Sequence, residues 1–337
     1  MLAYAAKRLL MMLPTLVGIS LVVFLMMDLA PADRAEIELA RQTESGGVTS
    51  EQRAEALLQL RVRYGLIDPA THEPLPVWRR YARWLGDALR LRLSGPDEDE
   101  RAFRRRILDA LPVTFLIGFW ALSISLAVGV PLGAWLGVRA GTGADRLVSG
   151  VLFLAVGVPE FMLAALLLLL FGGGVLDWFP PTGLRSPGAE ELPFWGRILD
   201  LARHLMLPVL SLSLPPIAQI SRFLRESVSR AARAPFATSL RAAGVEPSLL
   251  KRRLLRVGLS PLVTLLGGLL PWFFSGSVVV ESVFGIDGIG RLAYDSVLRQ
   301  DQGMVMALAL LASAITLFAL ALSDVLQRVI DPRVRLE

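Results

Sequence analysis

The sequence predicts an all-α, polytopic membrane protein with six transmembrane helices and an external loop subdomain. Three observations predict it. The 337 residues are 54% hydrophobic and 19% charged, against roughly 45–50% and about 25% in soluble domains. Mean hydropathy is +0.55, and the apolar residues gather into runs of the length that a bilayer-crossing helix needs, about 20 residues. Arginine-rich stretches separate the runs, and their charge alternates in the way that orients such helices.

The first run, Leu9 to Leu29, follows Lys7 and Arg8 and precedes Ala30-Pro31-Ala32. It is longer than the about 7–15 residues of a signal-peptide core, and proline in the small-residue site disfavours cleavage. It therefore reads as a retained span. The second run is Leu111 to Val138 and the third is Leu147 to Phe171. The fourth, Leu205 to Ile220, is short and carries Pro208, Pro215 and Pro216. It reads equally as a broken helix lining a cavity and as a kinked span packed on its neighbours. The fifth is Leu259 to Val280, and the sixth is Met304 to Leu326.

Short loops set orientation, because positive charge stays in the cytoplasm. Residues 221–256 carry nine basic residues against Glu226 and Glu246, so this loop reads as cytoplasmic. Arg139 and Arg146 place the turn between spans two and three on the same side. Residues 281–302 carry Glu281, Asp287, Asp295 and Asp301 against Arg291 and Arg299, which suits the outside. Both termini then lie in the cytoplasm. Residues 1–30 hold the N-terminal end and first span, 31–110 the external region, 111–330 the remaining spans with a cytoplasmic loop at 221–258, and 331–337 the tail.

In the external region, Glu51–Tyr64 has the apolar spacing of a short amphipathic helix. Trp78, Tyr81 and Trp84 share one helical side. Mixed with arginines, they suit either a membrane interface or the core of a small subdomain. A helix near Asp99–Leu108 leads into span two.

Cysteine is absent, and His72 and His204 are the only histidines. That leaves no disulfide framework and no basis for a zinc or haem site, so no metal and no cofactor is expected. A phosphate-binding loop requires a lysine in the G-x-x-x-x-G-K-[ST] setting. Lys7 and Lys251, the only lysines, lack it. Gly285-Ile-Asp-Gly-Ile-Gly290 has the wrong spacing for a dinucleotide loop and reads as a turn. No catalytic set converges, so the chain is not expected to be an enzyme. Lipid is the implied environment, and nothing points to nucleic acid. Glu160, Glu281 and Asp324 lie near span ends or breaks, as members of a proton relay or as interfacial and helix-capping acids.

The most informative stretch is 221–261. Pro235 suits a helix's first turn and Gly244 a left-handed end, which predicts a short helix over Phe236–Ala243. Pro247 and the spacing of Leu249, Leu250, Leu254 and Leu255 begin a second helix towards Pro261. A short, small-faced, basic helix suits docking into a groove on another protein. It suits equally a solvated loop that only sets topology.

This stretch resembles the coupling loop of ABC-importer permeases. Arg241-Ala242-Ala243-Gly244 corresponds to its alanine–alanine–x–glycine core, and Ser239-Leu-Arg-Ala-Ala-Gly244 is similar to the T-A-R-A-K-G pattern of the dipeptide/oligopeptide permeases. Arg8-Leu-Leu-Met-Met-Leu-Pro-Thr-Leu-Val-Gly-Ile-Ser20 is similar to that family's first helix, and Pro31-Ala-Asp33 to the P-G-D after it. Thr114, Gly129, Pro131 and Gly133 fit its T…G-x-P-x-G pattern, and Val158-Pro-Glu-Phe161 its S-x-P-x-F. Val278-Val-Val-Glu-Ser-Val-Phe284 with Gly288-Ile-Gly-Arg291 resembles V-V-V-E-T-V-F…P-G-L-G-R, and Asp331-Pro-Arg-Val-Arg335 resembles D-P-R-x-R. The external G-D-L-G-x-S is split between Gly86-Asp87 and Leu93-Ser-Gly95.

The resemblance implies a type I importer permease of the bacterial inner membrane. It implies a second, different permease subunit, two ATP-binding subunits that bind the ATP, and an extracytoplasmic solute-binding protein. Phe236, Ser239, Leu240, Arg241, Ala242, Ala243 and Gly244 would touch the ATPase. Glu160, Phe161, Trp272, Ser275 and Glu281 are the candidate lining of the path. Gly267, Gly268, Gly276 and Ser277 suit close helix packing, between permeases or within one bundle. Peptides are the family's usual cargo, and similar permeases carry nickel chelates, glutathione or oligosaccharides. A secondary transporter would need intramembrane charges and inverted repeats, and a membrane enzyme a convergent catalytic set. Neither is evident in the sequence.

Overall fold

A computed structural model describes residues 2–29, 34–43, 50–94, 99–259, 262, 265, 268–269, 273 and 278–330. Among the described residues, four helical stretches are long and apolar enough to cross a membrane: Leu10–Asp28, Glu100–Val138, Phe194–Arg233 and Gln302–Val325. A bent helix pair, Gly143–Gly157 with Glu160–Phe171, makes a fifth. The apolar run at 259–280 falls largely outside the described residues, as do Pro31-Ala-Asp33 and the 331–337 tail. The chain forms two compact units, Leu9–Ala110 with Leu292–Ala314, and Met1–Arg8 with Leu111–Arg291 and Ile315–Glu337.

The first unit is built on α1 (Leu2–Asp28), α2 (Arg34–Thr43), α3 (Ser50–Arg63) and α4 (Val77–Leu89). Glu51 in the first turn of α3 and Arg61 and Arg63 in its last turn complement the helix dipole. Leu60 of α3 packs with Ala35 and Leu39 of α2 in a small buried core. Gly65, at φ 65°, ends α3. Asp68 then closes a turn by accepting the Ala70 and Thr71 N–H groups at 2.8 and 3.3 Å. These bonds hold its carboxyl below the ordinary value.

Helix α4 lies against α1. Phe24 meets Tyr81 edge-on at 5.5 Å and Trp84 at 6.2 Å. The Tyr81 hydroxyl bonds Ser20 Oγ at 2.9 Å, and the Arg80 guanidinium forks onto both carboxylate oxygens of Asp28. Tyr81 and Trp84 thus pack half-buried against the first span, while Trp78 stays exposed under Arg79. Gln302 joins the same unit through the Met27 carbonyl.

The other unit is organised around α8 (Phe194–Arg233), 40 residues long, which is about 60 Å of helix. It packs against α6 (Gly143–Gly157), α7 (Glu160–Phe171), α9 (Pro235–Ala242), α10 (Pro247–Leu259) and α11 (Val278–Val283). Leu207, Leu212, Ile220, Leu224, Phe273 and Phe284 form much of its buried core. The remaining helices are α5 (Glu100–Val138), α12 (Ile289–Leu298) and α13 (Gln302–Ile330).

One expectation about proline is corrected, and of the two open readings of the fourth span the packed one stands. The third span is not one helix, because α6 and α7 meet at 103°. Pro159 forces Val158 into an extended conformation (φ −83°, ψ 124°) and then caps α7. The fourth span, by contrast, is one continuous helix through Pro208, Pro215 and Pro216. Membrane helices tolerate proline where neighbours and hydroxyls occupy the freed backbone groups. Here Leu207, Pro208, Val209, Leu212, Pro216 and Ile217 are buried, so neighbours enclose the stretch.

Helices α5 and α8 cross at glycines. A Cβ on Gly133 would lie 2.6 Å from the Ser221 carbonyl oxygen, and one on Gly137 2.6 Å from Val228 Cβ. Gly129 approaches Ile220, and its carbonyl accepts the Ser221 hydroxyl at 3.1 Å. Residues four apart share a helix face, so Gly129, Gly133 and Gly137 form one flat track for α8.

Candidate functional site

Helix α9 begins where α8 ends, and the local sequence dictates both events. Pro235 pushes Ala234 into an extended conformation (φ −67°, ψ 150°), which stops α8. Pro235 then starts α9, where its missing N–H has no cost. Gly244, at φ 68°, ends it. The Gly244 N–H reaches the Arg241 carbonyl at 3.1 Å and the Val245 N–H reaches Leu240 at 3.1 Å. This is the paired closure that needs a left-handed residue.

One side of α9 is committed to the protein. Ala237 is fully buried with Ala231 of α8 and Leu254 of α10. Arg241 Nη2 donates to the Ala232 carbonyl at 3.1 Å, stitching α9 to the last turn of α8. The other side is free of the chain's own packing. Phe236, Ser239, Arg241, Ala242, Ala243 and Gly244 are exposed, and Leu240 is half-buried. The result is a short helix seated on its neighbours by one alanine and presenting an aromatic ring, small residues and a guanidinium outward.

A second constellation surrounds Glu281 on α11, which is 2% exposed. Thr114 on α5 donates its hydroxyl to Glu281 Oε1 at 2.7 Å, and accepts the Ile289 N–H at 2.8 Å. The Arg291 N–H donates to Glu281 Oε2 at 2.8 Å. The carboxylate therefore sits on the N-terminus of α12, where unpaired N–H groups and the helix dipole favour an anion. The glycines nearby make room for it. A Cβ on Gly288 would lie 2.5 Å from Glu281 Cδ, and one on Gly290 2.9 Å from Oε2. Of the two sequence readings of Glu281, the helix cap is the one this geometry carries, and a carboxylate so enclosed has no face left for a solute.

Glu160 and Phe161 open α7 directly after the 103° bend, and Phe161 is 59% exposed. Trp272 and Ser275 lie outside the described residues, as do Gly267, Gly276 and Ser277. The glycine track on α5 and the pairing of Asp145 with Arg225 went unread in the sequence. The four-residue spacing of Gly129, Gly133 and Gly137 was the available signal for the first.

Long apolar helices, one of them broken, with a short exposed helix held between α8 and α10, define a polytopic membrane component. The chain belongs to the binding-protein-dependent transport system inner membrane components, whose family model matches residues 129–336. It is 30% identical to the peptidoglycan transport system permease protein YejB of Agrobacterium fabrum, over 99% of this chain and 98% of that one. It is 27% identical to the oligopeptide transport system permease protein AppB of Bacillus subtilis, over 99% of each. It is 28% identical to the oligopeptide transport system permease protein OppB of Haemophilus influenzae, over 99% of this chain and all of that one.

Proposed function

We propose that this chain is the permease subunit of an ATP-driven importer for peptides or similar small solutes. It forms half of the path with a second, different permease subunit. Of two ATP-binding subunits in the assembly, one docks on α9 from the cytoplasm, and an extracytoplasmic binding protein delivers the solute. Both termini are cytoplasmic in this reading, and the ATP chemistry belongs to the partner subunits. Family membership favours it over a secondary transporter.

The exposed helix at 235–242 carries the proposal. Its buried face is one alanine wide, so its aromatic and small residues are left for another protein. A short helix with that exposed set suits a groove. Glu160 and Phe161, at the bend of the third span, are the described residues we assign to the path, with Trp272 and Ser275 on the fifth-span face. Glu281 is reassigned from the path to the cap of α12.

The test is a pull-down from membranes that contain the neighbouring subunits. The intact chain should retain an ATP-binding subunit and support ATP-dependent uptake of labelled tripeptides in proteoliposomes. A chain with residues 236–244 replaced by a Gly/Ser linker should lose both. Retention of the ATPase by the linker variant would end the docking-helix reading. Uptake that follows an ion gradient and ignores ATP would end the importer reading.

A further inference from the structure

Asp145 lies in the first turn of α6, just after the 139–142 turn that follows α5. Its side chain is fully buried. Four donors converge on it: Arg225 Nε at 2.5 Å, Arg225 Nη2 at 2.7 Å, the Gly141 N–H at 2.8 Å and Ser149 Oγ at 3.3 Å. Arg225 reaches it from α8 as a two-pronged fork, the geometry that fixes both distance and direction.

The surrounding contacts give this pair a particular place. Arg225 lies ten residues before Pro235 on the same helix that carries α9 at its end. Between them Val228 is gripped from two sides. A Cβ on Gly137 of α5 would lie 2.6 Å from its Cβ, and one on Gly258 of α10 2.5 Å from its Cγ2. Beyond it, Ala231 with Ala237 and Leu254, and the Arg241 bond to Ala232, fasten α9 to the end of α8. A displacement of α9 therefore moves the last turns of α8. The contacts at Val228 are close apolar packing, without the directionality of a hydrogen bond. The fork on Asp145 has one register only.

The geometry points to Asp145 and Arg225 as positioning residues that pass the displacement of α9 into the α5–α6 turn and the bent third span. A buried ion pair is weak as a stabiliser, because desolvation offsets the attraction. Directional linkage is a role that an apolar pair of the same size would not fill. The inference rests on the importer reading above.

The test uses the complete transporter in proteoliposomes, with ATP hydrolysis and labelled-tripeptide uptake measured on the same samples. D145N keeps the size of the side chain and loses its charge. R225K keeps the charge and loses the fork. Both variants should co-purify with the ATP-binding subunits and hydrolyse ATP. Peptide moved per ATP should fall severalfold. A purely structural pair would instead lower both rates in proportion, through lost assembly, and leave the ratio untouched. That result overturns the inference, as does an unchanged ratio at full activity. If D145N fails to assemble, R225K decides, and failure of both to assemble also overturns it. If wild-type samples neither retain an ATPase nor use ATP for uptake, the importer reading itself has failed and this inference falls with it.

Discussion

Thr114 and Glu281 stand 167 residues apart, and the threonine hydroxyl donates to the buried carboxylate at 2.7 Å. The same hydroxyl oxygen accepts the Ile289 N–H. One side chain thus joins α5, α11 and the start of α12. The V-V-V-E…G-I-G-R stretch, legible in the sequence as a family resemblance, gains a physical reason. The glutamate caps a helix, and the glycines are small because a Cβ would strike its carboxylate.

Removing either partner should therefore destabilise the protein. T114V leaves the Ile289 N–H without its acceptor and takes the Thr114 donor away from Glu281. A buried group left unpaired costs about 1–3 kcal/mol. E281A should cost at least as much, because it uncaps α12 as well. Thermal melts in detergent would measure the loss, and limited proteolysis at 285–290 would localise it. An E281A protein that melts with the wild type would show the cap to be dispensable.

The glycine track predicts opposite outcomes on neighbouring helices. G133A places a methyl 2.6 Å from the Ser221 carbonyl oxygen, so α5 and α8 must move apart. Overpacking of this kind costs about 1–3 kcal/mol. Gly150 sits within α6, and a Cβ there meets nothing within 4 Å. G150A should stabilise the helix, by about 0.5–1 kcal/mol, through reduced backbone freedom. The two melts, run side by side, should shift in opposite directions. A neutral G133A would mean that the crossing can open without cost.

What the sequence revealed depended on the range of the forces involved. The bounds of α9 were legible because Pro235 and Gly244 act on their immediate neighbours. The helices at 50–63 and 77–89 followed from apolar spacing in the same way. The bend at Pro159 was not read, although the residue was in view, and the three prolines of α8 left a broken helix and a packed span equally open. A proline removes one donor wherever it stands. Whether the helix stops is decided by what packs around it, and the proline-bearing stretch of α8 is buried among its neighbours. Asp145 and Arg225 are 80 residues apart, and no periodicity links residues so distant. Glu281 was picked out correctly as unusual, yet its partner on α5 could only come from the fold.

The turn at Asp68 gives a pH prediction outside the membrane spans. Its carboxyl is held below the ordinary value of 3.8 by the Ala70 and Thr71 N–H groups. A lowered folded pKa means that the contribution is complete above the unfolded value and is lost as pH falls through the folded one. The turn should hold from neutral pH to about the ordinary carboxylate value and loosen below it. Amide exchange at Ala70 and Thr71 would follow this. D68A should exchange faster than wild type at neutral pH, with the difference vanishing in strong acid. Equal exchange at pH 7 would show that the side chain does not hold the turn.

Gly244 separates the shape of α9 from the stability of the rest. Its φ of 68° is the only obstacle to a side chain, because a Cβ there meets nothing within 4 Å. G244A should cost about 1 kcal/mol or slightly more, the strain of a left-handed L-residue, and the spans should stay folded. The closure of α9 by the Gly244 and Val245 N–H groups should nevertheless loosen, moving Arg241 to Gly244 relative to Ala237. G244N should behave more like wild type, because asparagine tolerates that conformation. R241A should act in parallel by freeing α9 from the Ala232 carbonyl. Both G244A and R241A should then lower ATP-dependent uptake severalfold while the detergent melt moves by only a few degrees. Normal uptake by both variants would mean that the end of α9 is not where the ATP-binding subunits engage this chain.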